Sequence, residues 1–177
     1  MVFRALQEKL KVNSGRKLLK KLIAQPKEPT NRTKGLHSIG IIVDMDNFPE
    51  ADTFYGLRND FALRPNGVQI IGYKREYDKT SPFGIQFFTD RDLGWNGQIE
   101  NGHVTEFLSR EYDVLINYYE RETLLLKLLT LSTTARLRVG FAEVDNRLND
   151  LILDTTLEEI EAFKLELKKY LTVLGEY

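Results

Sequence analysis

The chain has 177 residues, 42% of them hydrophobic, and a formal charge of -1 at pH 7, enough for one domain that buries about 70% of the surface its unfolded form would expose. It contains no cysteine, which excludes disulfides, thiolate metal sites, cysteine nucleophiles and iron-sulfur clusters. Its longest apolar run is too short for a bilayer and no apolar stretch precedes a small-residue cleavage site, so a soluble cytoplasmic protein is expected.

The near-neutral total hides a split. Residues 1 to 34 hold ten Lys/Arg and two Asp/Glu, a net +8, whereas residues 35 to 177 hold fifteen and twenty-four, a net -9. From Val2 to Gln25, Phe3, Leu6 and Leu10 and then Leu18, Leu19, Leu22 and Ile23 recur at spacings of three and four. Lys9, Lys11, Arg16, Lys17, Lys20 and Lys21 lie between them. This predicts a basic amphipathic helix, interrupted at Asn13-Ser14-Gly15 because glycine costs about 1 kcal/mol relative to alanine in a helix interior. The polar, proline-containing stretch QPKEPTNRTK (25–34) reads as a linker. Residues 1–34 are therefore expected to form a helical arm and linker, and residues 35–177 a single α/β domain.

In that domain SIGIIVD (38–44) is a short β-branched run that predicts a strand covered on both faces. Pro49, Glu50 and Asp52 then mark a helix start, with Phe54, Leu57 and Phe61 as its buried stripe. VQIIGY (68–73) predicts a second buried strand, FGIQFF (83–88) a third, residues 103–110 a short helix and YDVLIN (112–117) a further strand. The segment from Glu122 to Thr134 predicts an enclosed helix, Leu137 to Phe141 and Leu151 to Leu153 two more strands, and Thr156 with Glu159 a capping box for a final helix. That helix carries the stripe Ile160, Phe163, Leu167, Tyr170 or Leu171, and Leu174, and ends at Gly175. Strands interleaved with helices predict a three-layer α/β sandwich with a mostly parallel five- or six-stranded sheet, Rossmann-like in type.

The chemical candidates are few. Asp44 and Asp46 fall at the carboxyl end of the first strand, where α/β sheets bind ligands, and two carboxylates there could hold a divalent cation or divide nucleophilic and proton-transfer roles. The ordinary structural alternative is that they lead into the helix at Pro49. His103 and Glu106 share a helical face, but no second pair completes a zinc site. Neither a nucleophile elbow nor a glycine-rich phosphate loop occurs, so no cofactor is expected. The arm cations Lys9, Lys11, Arg16, Lys17, Lys20 and Lys21 could neutralise phosphates or meet an anionic membrane. They could equally accompany an apolar stripe packed on the body or on a second copy of the chain.

IIVDMDN resembles the first motif of haloacid-dehalogenase-like phosphatases, which implies Asp44 as nucleophile and Asp46 as general acid/base, with Asp145 and Asp150 helping to hold magnesium. Asn47 departs from that motif. SIGIIVDMDNF, DLGWNG, YDVLINYY, RLRVGF and DNRLNDLIL together resemble an uncharacterised bacterial family of small soluble proteins, a domain of unknown function that implies no catalytic residue, ligand or partner. The leading expectation is a non-catalytic α/β domain whose basic helix mediates self-association or docking. Its rivals are the magnesium-dependent phosphatase, and nucleic-acid or anionic-membrane binding through the arm.

Overall fold

The computed structural model describes residues 1–27, 29–78 and 84–177. Its elements are α1 (Val2–Ala24), β1 (Ile39–Asp44), a 3-10 turn (Ala51–Gly56) running into α2 (Leu57–Asp60), β2 (Val68–Lys74), β3 (Phe87–Thr89), α3 (Gly102–Leu108), β4 (Glu111–Tyr118), α4 (Leu124–Ser132), β5 (Thr134–Phe141), β6 (Leu151–Leu153) and α5 (Ile160–Val173). The strands form one six-stranded sheet in the order β3-β2-β1-β4-β5-β6, and every pairing in it is parallel. The chain winds outward from β1 to one edge, returns to β1 at β4, and winds outward to the other. Such an order creates a switch point between β1 and β4, at the carboxyl ends of the strands.

Both faces of the sheet are covered, which is why β1 is buried at all six positions. On one face Phe48, Phe54, Leu57 and Phe61 pack with Phe163, Leu167 and Leu171 of α5. On the other, Val104 and Phe107 of α3, Leu125, Leu126, Leu128 and Leu129 of α4 and Leu19 of α1 close over Ile42, Ile71 and Leu115. The expected α/β sandwich is therefore present, with the sheet parallel throughout.

Local departures have local causes. The helix expected after Pro49 is instead a 3-10 turn and a single α-helical turn, although its expected stripe is buried. Of the strand expected over FGIQFF, Phe83 lies outside the described residues, and pairing is confined to Phe87–Thr89. The last helix begins at Ile160, after the expected capping pair; there Glu159 accepts from the Thr156 amide at 3.0 Å and from its hydroxyl at 3.2 Å. It ends on Gly175, whose φ of 69° suits glycine. The Glu176 amide donates to Leu171 O and the Gly175 amide to Thr172 O, a Schellman closure.

The largest correction concerns α1, which runs unbroken through Asn13-Ser14-Gly15. Gly15 is buried against α4, and a Cβ there would lie 3.0 Å from Leu124 Cδ2 and 3.4 Å from Leu93 Cδ1. The expected breaker is a contact point, and close packing offsets its propensity cost. Nor does α1 carry a single stripe. At about 100° per residue, Phe3, Leu6 and Leu10 fall on nearly the opposite side from Val12, Gly15, Leu18, Leu19, Leu22 and Ile23. The latter group packs on the body. Phe3, Leu6 and Leu10 remain exposed.

Candidate functional site

The switch point is occupied by an ion-pair cluster. Asp44, the last residue of β1, is fully buried. Its carboxylate accepts from Asn47 Nδ2 at 2.8 Å and the Asp46 amide at 3.2 Å. Arg121, just beyond β4, reaches across and donates through Nη2 to Asp44 Oδ2 at 3.0 Å, Asp44 Oδ1 at 3.3 Å and Asp46 Oδ2 at 3.3 Å. Asp46 also accepts from the Arg75 amide at 2.9 Å. Burial raises the Asp44 pKa above its ordinary value, while Arg121 and Asn47 pull it down. For Arg121, burial acts downward, but the two carboxylates prevail and its pKa is raised. The guanidinium stays charged and holds both carboxylates.

Below this cluster Phe48 meets Tyr118 edge-on at 4.9 Å, and Phe54 meets the same ring at 4.7 Å. Tyr118 donates to Leu157 O at 2.8 Å. Arg121 thus covers Asp44 at the switch point, while a cavity of about 540 Å³ opens beside Asp46, lined by Met45, Pro49, Lys74 and Arg75.

The remaining acidic candidates lie elsewhere. Asp145, after β5, is forked by Arg147, whose hydrogen bonds hold its carboxyl down at about 2. Asp150 precedes β6, at the opposite edge of the sheet, where it accepts from the Arg138 amide at 2.7 Å and from Lys27 Nζ. Asp44 and Asp46 are brought together, and Asp150 is not brought to them. Among the described residues, no three His, Asp or Glu side chains gather as a cation site. His103 and Glu106 are exposed on α3; the His103 amide is capped by Asn101, and Glu106 pairs with Arg110.

Of the arm cations, Lys9, Arg16, Lys17, Lys20 and Lys21 are exposed, and Lys11 lies over the half-exposed Trp95 ring at 5.6 Å. Among the described residues, none of the six pairs with a carboxylate.

A family model matches residues 11–174. The chain belongs to DUF6913, a family of unknown function. No curated protein matches it. The DUF6913 match takes in the packed half of α1 together with Asp44, Asp46 and Arg121.

Two further residues of this DUF6913 chain carry little signal in the sequence. Arg121 offers one mark, a lone arginine just after a buried strand in a chain whose first strand ends in two carboxylates. Asp113 is buried near the start of β4 and accepts from the His37 amide at 2.8 Å, the Ser38 amide at 2.9 Å and Arg32 Nη1 at 3.2 Å. A carboxylate in an apolar run is its only mark, and its partners come from a distant segment.

Proposed function

We propose that this protein is a non-catalytic binding domain that self-associates through the outward side of the first half of α1. One observation carries the reading: Phe3, Leu6 and Leu10 are 72%, 53% and 49% exposed and face away from the side of α1 that packs on the body. Burying the part of each that is still exposed would contribute about 1–2 kcal/mol. A second copy presents the same stripe, so two helices crossing near Leu6 would cover each other's apolar residues through a two-fold interface. Lys17, Lys20 and Lys21 fall on the same outward side, and the net -9 of residues 35–177 offers them an acidic surface on the neighbouring copy.

The switch-point geometry favours a non-catalytic reading over the phosphatase one. A nucleophilic carboxylate needs an open line of approach, and that of Asp44 is enclosed by Arg121, Asn47 and the Asp46 amide.

A concentration series in the analytical ultracentrifuge tests the proposal. The full chain is expected to shift from monomer toward dimer, and Leu6→Glu to stay monomeric, with the melting temperature of the full chain at concentrations where that too is monomeric. Deleting residues 1–34 is the wrong variant, because it strips Leu19 from the core. A chain monomeric at every concentration overturns self-association. If the monomer instead floated with phosphatidylglycerol vesicles, or bound DNA at low salt, the exposed helix would serve a membrane or a nucleic acid.

A further inference from the structure

Away from the switch point, a cavity of about 740 Å³ opens between α1, α3, α4 and the start of β5. Leu18 and Leu22 of α1, Leu108 of α3, and Leu128 and Leu131 of α4 supply apolar wall, and Arg138 of β5 lines the same space. Sites for small organic ligands have this size, and here the leucines form one apolar side of a lining that is otherwise polar, with Lys27, Gln98, Arg147 and Asp150 among it.

Arg138 is the group without a counterpart. Its Nη2 donates to Thr133 O at 3.2 Å, its Nε is sealed off from the cavity, and among the described residues no hydrogen bond uses its Nη1. The nearby Asp150 carboxylate is engaged by Lys27 Nζ and by the backbone amide of Arg138 itself. Arg147, another cation on the wall, is forked onto Asp145. Among the described residues, Arg138 has no carboxylate ion pair. A guanidinium with an unbonded Nη1 beside apolar wall suits a planar anion that can accept two hydrogen bonds.

We infer that this cavity binds a single-chain aliphatic carboxylate, with its headgroup on Arg138 and its chain along the leucines of α1, α3 and α4. Burial lowers the Arg138 pKa against the pull of Asp150, and an arriving carboxylate would relieve that penalty. The site lies on the packed half of α1 and does not depend on the exposed half. The carboxyl-terminal ends of α3 and α4 also border the cavity, at Ser109 and Ser132. Their partial negative charge favours a cation, so ligands of both signs belong in the test.

Isothermal titration of the full chain with decanoate, decanol and decylamine distinguishes the possibilities. Decanoate is expected to bind at least about tenfold more tightly than either of the others, the margin of one charge-assisted contact. Arg138→Met should abolish that preference while leaving decanol binding in place, and Thr105→Trp, at the exposed α3 wall, should weaken all three. Absence of saturable decanoate binding overturns the inference. Equal affinities, a preference for decylamine, or an Arg138→Met variant that still prefers decanoate also overturn it. Should Arg138→Met fail to fold, the wild-type ranking and Thr105→Trp together separate support from refutation.

Discussion

The two halves of α1 belong to one uninterrupted helix, and both carry leucines and lysines at helical spacing. In the second half the apolar residues face α4 and the Leu93 loop, Gly15 permits the close approach, and Leu19 joins the core beside Ile42 and Leu115. In the first half the apolar residues are turned nearly to the opposite side and stay in solvent. The difference shows that an apolar stripe reports only which side of a helix wants cover. What supplies the cover depends on where the helix sits against its own domain, and here the domain covers only the second half.

Substitutions can probe this contrast, beginning in the covered half. Leu19→Ala should lower unfolding free energy by about 2–4 kcal/mol in urea titration, because it removes buried methyl groups and leaves a cavity. Gly15→Leu should cost about 1–3 kcal/mol by the same measurement, since the side chain must displace Leu124 or Leu93.

Arg121→Met should cost a similar or smaller amount, about 1–3 kcal/mol at neutral pH, discounted for the partial exposure of the guanidinium. It also predicts a pH dependence. Without Arg121, the buried Asp44 carboxyl would have a folded pKa raised further above its ordinary value of 3.8. A group protonated more readily in the folded state costs nothing below its unfolded pKa, and the penalty grows as pH rises through the folded one. The variant should therefore approach wild-type stability near pH 4 and fall away from it toward pH 7; a deficit independent of pH would show that Asp44 is not the cause. The smallest effect belongs to the uncovered half, where Leu6→Glu should change monomer stability by less than about 0.5 kcal/mol.

Much of the fold is legible in the sequence because it rests on short-range signals. β-Branched runs such as IGIIVD and YDVLIN mark strands covered on both faces, and the Phe54-Leu57-Phe61 spacing finds its buried side even though the backbone there is 3-10. The strand order is not legible, since it depends on which runs become neighbours in space. Gly15 misleads for a related reason: helix propensity is local, whereas the contact with Leu124 joins residues far apart in the chain. The candidate site is half legible. Asp44 and Asp46 stand out at the end of an apolar strand, but Arg121, which pairs with both, is supplied by the loop after the strand that tertiary structure places alongside. Arg138 and its cavity leave no pattern at all, because α1, α3 and the α4-β5 unit, far apart in sequence, build the walls.

If the outward side of α1 becomes covered only when two copies meet, amide hydrogen exchange along this helix must depend on protein concentration. Exchange over residues 2–11 is expected to slow as concentration rises, while residues 15–24, already packed on the body, exchange at the same slow rate throughout. Equal exchange over residues 2–11 at low and high concentration would show that no second copy covers Phe3, Leu6 and Leu10.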